Sequence, residues 1–399
     1  MDQSEVRSLS GGVKQQGVRD HNERLILSTI QRHGALPGSD LARMAGLSPQ
    51  TVSVILRELE HEGFIARGDP QRGRVGKPSI PMELAPGGVY SIGLKIGRRS
   101  ADLLLADFQG RVRQQMQATY RYPMPETVFG FLREGLATLR AGLSPAQVAR
   151  IAGIGIAKPF EMWNWHDTVG APAEELAVWR EVDFRAEVRR FTDLPVYLEN
   201  DATAACRAEH VYGRGREFRD FAYFFVGSFI GGGVVLNHSV FDGAMGNAGA
   251  FGSLPARRAD GSDCQLIDTA SLYLLEAELT RAGIDPARMW LQPQDWSGFA
   301  PLVDDWIQKA ATQIARAALT VCAVIDFEAV LIDGGFPAAV RERLVVQVRA
   351  ALARLDTRGL NPPRIEGGLV GGNARALGAA CGPVFSQYLL NTHAGLANA

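Results

Sequence analysis

The stretch from Ser39 to His61 constrains the fold most. Ser39 is a good N-cap for a short helix carrying Leu41, Ala42 and Ala45. Gly46-Leu47-Ser48 makes a tight turn, in which Gly46 can take a positive φ. Ser48 caps the next helix, and Pro49 sits in its first turn, where a missing N–H costs nothing. Val52, Ile55, Leu56 and Leu59 give that helix one buried stripe. A helix of roughly residues 21–33, with Leu25, Ile26 and Ile30 on one face, precedes the pair and ends at Gly34. Small Ala42 suits a helix crossing, so the spacing predicts a helix-turn-helix.

Its third helix leaves Gln50, Thr51, Ser53, Val54 and Arg57 outside the stripe. Short polar groups near a helix N-terminus, with an arginine further on, suit base edges and phosphates in a major groove. Gln50, Thr51, Ser53 and Arg57 are therefore expected DNA contacts. Residues 64–67 and 79–84 read as two strands of a wing. Between them Arg72, Arg74 and Lys77 follow Arg67, against the single acid Asp69. A narrow basic strip of this kind fits a minor groove, and Arg72, Arg74 and Lys77 are its expected contacts. The plainer alternative is a three-helix packing unit with a solvated loop. Lysine plus arginine is 42 and aspartate plus glutamate is 43, a formal net charge of -1, so any nucleic-acid site is local.

The chain has 399 residues, 46% hydrophobic and 21% charged, enough for two or three domains with sizeable cores. No apolar run approaches the ~18 residues of a membrane span. Residues 1–24 are polar and mixed in charge, unlike a signal peptide. Cys206, Cys264, Cys322 and Cys381 form no C-x-x-C pair, which argues against a disulfide framework or a four-cysteine zinc site. A soluble protein of the reducing cytoplasm is expected.

After Pro86-Gly87-Gly88 the pattern becomes α/β. Strands are expected at 89–96, 100–107 and 111–120, then a helix at 126–140 and a strand at 151–156. A helix at 184–191 leads to a strand at 196–198 and to Glu199-Asn200-Asp201-Ala202, which opens a helix through Glu209. A second set begins with a strand at 221–226, a glycine turn Ile230-Gly231-Gly232-Gly233 and a strand at 234–236. Helices near 269–282 and 302–325, a strand at 329–332 before Asp333-Gly334-Gly335, and a helix at 373–388 complete it. Two α/β lobes that each open with antiparallel strands fit a ribonuclease-H-like, actin-like ATPase double fold.

The order of a winged helix, E-N-D-A, I-G-G-G, A-G-x-x-G and a late D-G-G resembles the ROK family of sugar-responsive repressors and sugar kinases. The added winged helix resembles its repressor branch, the regulators of xylose and N-acetylglucosamine operons. The resemblance implies a winged helix-turn-helix at 1–85, a first α/β lobe of the ROK domain at 86–198 and a second lobe at 199–399. The helix at 373–388 is expected to pack back on the first lobe.

Carried over residue by residue, Asp201 stands at the family kinases' general-base position and Asn200 at their sugar hydrogen-bonding position. The plainer role for both is a helix cap. Family kinases carry D-x-G-G-T after the first strand, where this chain has Lys95-Ile96-Gly97-Arg98-Arg99. The turn Gly227-Ser228-Phe229 replaces a G-T-G. ATP is therefore not expected as a cofactor, nor phosphoryl transfer as an activity. The family's zinc motif is reduced to Cys264, with Ala250 and Ser253 where a glutamate and a histidine would stand, so structural zinc is not expected. The segment 157–166 brings Trp163 and Trp165 to a strand's C-terminal end, where they could stack on a sugar or plug the lobe junction. Glu199 and Asn247 complete the expected ligand contacts, with Asn200, Asp201, Trp163 and Trp165.

The resemblance implies a DNA-binding repressor of a carbohydrate operon. Its partners would be double-stranded operator DNA, a sugar or polyol effector and a second copy of the chain, as a homodimer or tetramer; no membrane is involved. Two alternatives stay open: a sugar kinase with a DNA-binding domain, and a DNA-tethered pseudokinase controlled by a protein partner.

Overall fold

Gly46 closes the first turn the sequence marks, at φ +66°. It belongs to the first of two units in the computed structural model, which describes residues 15–70, 80–165, 173–258, 260–291 and 293–390. This unit runs to Gly88 and includes a C-terminal stretch with Tyr388 and Leu390. Helices α1 (Gln15–His33), α2 (Gly38–Ala45) and α3 (Pro49–His61) precede strands β1 (Ile65–Arg67) and β2 (Met82–Leu84), paired antiparallel. Ile26, Ile30, Leu41, Val52, Ile55, Leu59 and Ile65 form the core. Tyr388 stacks at a tilt on Phe64, ring centroids 5.3 Å apart. The Leu390 N–H donates to Ser28 Oγ at 2.8 Å.

Two helix starts differ from expectation. Helix α1 begins at Gln15, ahead of His21. Helix α2 is entered from Pro37, with φ −63° and no side-chain cap, so Ser39 falls within its first turn. Proline's fixed φ sets the chain for helix there. Ser48 does cap α3, accepting from the Thr51 N–H at 3.1 Å.

The second unit spans Val89–Val384 and holds two five-stranded sheets. Its first lobe contains β3 (Tyr90–Ile96), β4 (Ser100–Asp107), β5 (Val112–Thr119), α4 (Pro125–Ala141), β6 (Ile151–Lys158), α5 (Phe184–Arg189) and β7 (Val196–Asn200). The sheet order is β5-β4-β3-β6-β7, antiparallel through β3 and parallel beyond it. After α6 (Asp201–Tyr212) come β8 (Phe221–Val226), β9 (Ile230–Leu236), β10 (Ser239–Phe241) and the hairpin β11 (Pro255–Arg257) and β12 (Asp263–Gln265). Helices α7 (Leu272–Arg281) and α8 (Ala300–Val324), β13 (Ala329–Gly334), α9 (Ala338–Leu352), β14 (Arg364–Gly367) and α10 (Ala374–Gln387) follow. The second sheet runs β10-β9-β8-β13-β14, repeating the first sheet's topology.

The I-G-G-G run is strand, and this corrects the expected turn; the reversal lies at 227–229 instead. The glycines are there because α6 and a neighbouring turn press on β9. A Cβ on Gly233 would meet Cys206 at 2.4 Å, and one on Gly232 would meet the Tyr223 carbonyl at 2.3 Å. Helix α10 lies as closely on the first sheet. A Cβ on Gly93 would sit 1.9 Å from the Ala376 carbonyl, and one on Gly155 1.8 Å from that of Ala379. Alanines of α6 and α10 join Leu104, Tyr223, Phe225 and Leu331 in a core between the sheets. Small residues thus let two helices pack tightly beside strand ends that open on one cleft.

Candidate functional site

Three parallel strands of the first sheet, β3, β6 and β7, end at the same cleft. Gly97 and Arg98 follow β3, Pro159 and Phe160 follow β6, and Asn200 and Asp201 join β7 to α6. Clefts at the carboxyl ends of parallel strands are where α/β proteins take ligands. The opposite wall comes from Ser228, Phe229, Asn247, Ser253 and Arg375. The cavity measures about 220 Å³.

Asn200 spends its Oδ1 on the cap of α6, accepting from the Ala202 and Thr203 N–H groups at 2.9 and 3.2 Å. Capping leaves its amide nitrogen as the donor for a ligand. Asp201 is the first residue of α6, and its Oδ2 accepts from Arg375 Nη1 at 3.3 Å. The helix N-terminus favours its negative charge. Asn247 also lines the cavity.

Glu199 does not line it. Its carboxylate takes both Nε and Nη2 of Arg207, at 3.0 and 2.5 Å from Oε1, and Arg207 also reaches Asp242. The structure thus moves Glu199 from ligand contact to a structural ion pair. Trp163 packs against the first-lobe core, with the Arg180 guanidinium 6.0 Å over its ring, and does not line the cleft either. Phe160 is the aromatic this segment contributes, 51% exposed, just before Glu161 turns the chain at φ +47°. The Trp165 side chain lies outside the described residues.

Sequence reasoning missed Arg375 and gave Arg98 no ligand role. Arg375 is the second residue of α10, far along the chain from E-N-D-A. Its alignment beside Asp201 follows only from how α10 packs.

Lys95, the second-last residue of β3, is buried. Its ammonium donates to Asp102 Oδ2 at 2.8 Å and to Ser100 Oγ at 3.0 Å. Burial pushes its pKa down, and Asp102 works against that shift. Burial works to raise the Asp102 pKa, but Lys95 and a Gln117 hydrogen bond hold it below the usual range. A Cβ on Gly97 would lie 2.5 Å from Lys95 Nζ, so this lysine fills the space under the loop.

The residues at the zinc-motif positions do not fit that metal. Ala250 and Ser253 offer no imidazole or thiolate, and Cys264 stands alone. Among the described residues no three His, Cys, Asp or Glu side chains could hold a metal ion.

On the first unit, Gln50, Thr51, Ser53, Val54 and Arg57 are all exposed on α3. The Thr51 and Ser48 hydroxyls lie 2.8 Å apart, and Arg57 Nε donates to the Ser53 carbonyl at 3.3 Å. Arg67 is tied to Glu60 by Nε and Nη2, at 2.7 and 3.2 Å, which neutralises the first basic residue of the wing. Arg72, Arg74 and Lys77 lie outside the described residues. No described helix is long and apolar enough to cross a membrane.

Comparison with known proteins agrees with both halves. Residues 19–66 match a winged helix-turn-helix DNA-binding model and residues 91–266 match the ROK family model. The xylose repressor of Bacillus subtilis is 23% identical over 237 residues, which is 59% of this chain and 61% of that protein. The chain thus spans less than two thirds of that relative. The DNA-binding transcriptional dual regulator NagC of Escherichia coli is 23% identical, over 78% of this chain and 75% of its own. In structure, a ROK family transcriptional regulator homologous to the Escherichia coli MLC protein matches at TM-score 0.64, 19% identical, over 92% of this chain and 96% of its own. A ROK family glucokinase from Streptomyces griseus matches at TM-score 0.57, 19% identical, over 73% of this chain and 98% of its own. These structural likenesses are of fold.

Proposed function

From a chain that carries a ROK family domain behind a winged helix-turn-helix, we propose a transcriptional regulator that binds operator DNA through α3 and its wing. The observation that carries this reading is the exposed polar edge of α3, where Gln50, Thr51, Ser53 and Arg57 stand free of the core. The xylose repressor and NagC support a regulator of sugar metabolism, acting as a repressor in the cytoplasm.

One winged helix reads a short site, so the chain acts as a homodimer on a two-fold operator. A sugar or polyol held by Asn200, Asp201 and Asn247 is the effector. It changes DNA affinity by as much as its own affinity differs between the DNA-binding and released states. We read the ROK domain as a binding domain without kinase activity, because Lys95 and Arg98 stand in place of an acid and a glycine in the first phosphate loop.

Selection from a random duplex library tests the DNA reading. The full chain should enrich a two-fold symmetric sequence, and Arg57→Ala should lose it. Enrichment of no sequence, with ATP turnover on a sugar, would favour the kinase alternative.

A further inference from the structure

Two arginines line the cleft with part of each guanidinium unanswered. Arg98 is 7% exposed, and its Nη1 donates to Glu276 Oε2 at 2.7 Å. The other Glu276 oxygen is taken by Trp290 Nε1 at 2.9 Å. Arg98 Nε is buried and makes no hydrogen bond. Arg375 has one contact to Asp201, at 3.3 Å, and its guanidinium carbon lies 4.8 Å from the Phe225 ring centroid. Its Nε is likewise buried without a partner. Buried donors are almost always matched, so Arg98 and Arg375, on opposite walls of one cavity, both carry hydrogen-bonding capacity that the described protein groups do not use.

The charge balance agrees. Among the described lining residues Arg98 and Arg375 are cationic and Asp201 alone is anionic. A Cβ on Gly227 would lie 3.5 Å from Arg375 Nη1, so Arg375 stands against the 227–229 turn. Arginine is the side chain best suited to carboxylate and phosphate oxygens, through parallel N–H donors. Ser228, Asn247 and Ser253 add neutral groups of the kind that meet hydroxyls. At about 220 Å³ the cavity is smaller than those that take drug-sized ligands, ~300–1,000 Å³.

We propose that the cleft binds an anionic polyol of monosaccharide size, a sugar acid or a sugar phosphate, whose carboxylate or phosphate is held by Arg98 and Arg375. This rests on the cleft being the effector site and names the effector's charge class. The anion answers the surplus positive charge of the two guanidinium groups, while Asn200 and Asp201, the latter beside Arg375, take hydroxyls.

Calorimetric titration of the full chain with matched sets tests it: glucose, glucuronate and glucose 6-phosphate; galactose, galacturonate and galactose 6-phosphate; and inorganic phosphate. At least one sugar anion should bind ten-fold or more tightly than its neutral parent. Arg375→Met should remove that preference, and so should Arg98→Met. Arg98→Met strands Glu276 and could unfold the domain, so Arg375→Met, with its melting temperature checked, is the deciding variant. Neutral sugars binding as tightly as the anions, no anion binding at all, or inorganic phosphate binding as tightly as every sugar anion would overturn the proposal. The same preparations are tested on operator DNA without ligand. An intact specific complex with no anion bound defeats this inference and leaves the regulatory reading standing. No specific complex defeats the regulatory reading, whatever the cleft binds.

Discussion

Arg375 Nη1 and Asp201 Oδ2 lie 3.3 Å apart in the cleft, one side chain from α10 and the other from the first residue of α6. The contact is long for a charge-assisted hydrogen bond, which normally closes to ~2.7–2.9 Å. Both groups therefore keep capacity for a ligand. Asp201→Ala should leave operator affinity unchanged and abolish the effector response. Fluorescence anisotropy on operator DNA, with and without the bound sugar, measures both. A normal response in this variant would remove Asp201 from the site.

Arg57 is exposed on α3, where its Nε donates to the Ser53 carbonyl at 3.3 Å. Arg57→Ala should weaken operator binding by about 1–3 kcal/mol if it reads a base, or lower the salt slope by about one if it meets a phosphate. Ligand binding should not change. The salt dependence of operator affinity separates the two roles.

Gly46 holds φ +66° at the end of α2. Gly46→Ala forces a Cβ into the left-handed region, at ~1–2 kcal/mol. Among the described residues nothing lies within 4 Å of that Cβ, so backbone strain sets the loss. Denaturant unfolding of the full chain should show it in the transition of the first unit. An unchanged transition would contradict the turn geometry.

Gly378 faces the Ala204 carbonyl, and a Cβ there would stand 1.7 Å from its oxygen. Gly378→Ala should destabilise the second unit by at least ~1–3 kcal/mol, the usual cost of overpacking. It should also lower affinity for the cleft ligand, because α6 carries Asp201 and α10 carries Arg375. Calorimetry and thermal unfolding report the two effects separately.

Glu209 is buried at the end of α6, accepting from the Arg214, Leu369 and Val370 N–H groups. Burial pushes its pKa above the ordinary 4.5, the Asp333 charge adds to this, and the N–H donors oppose it. Burial likewise raises Asp333. A carboxyl with a raised folded pKa binds its proton more tightly folded than unfolded. Its contribution to stability is present below pH 4.5 and is lost as pH rises through the folded value. Glu209→Gln should flatten that part of the stability–pH curve. It should also cost about 1–3 kcal/mol, because one amide oxygen cannot replace two carboxylate oxygens for these donors. Melting temperatures across pH check both.

Local chemistry made much of this fold legible. The turn at Gly46, the Ser48 cap and the strand Phe221–Val226 follow from short-range rules of turns, caps and apolar runs. What stayed hidden depends on distant packing. Gly231, Gly232 and Gly233 resemble a phosphate turn in sequence, yet Tyr223 and Cys206 leave no room for a Cβ on Gly232 or Gly233, and Ala202 would crowd one on Gly231 at 3.0 Å. Trp163 suits a sugar-stacking role, but an apolar side chain next to a core is buried more readily than one at a cleft. Helix α9 and strand β14 gave no distinct signal and went unread. In the cleft, Asn200 and Asp201 were legible from E-N-D-A, whereas Arg375 is separated from Asp201 by 174 positions and no local pattern joins them.

The most direct measurement is binding of the full chain to DNA from upstream of its own gene, by fluorescence anisotropy over a salt series, with and without sugars and sugar anions. A tight, sequence-specific complex with a steep salt slope, shifted by one of those ligands, is the predicted result. Binding that is weak and equal on unrelated DNA, and unmoved by every ligand that the cleft binds, would contradict the account.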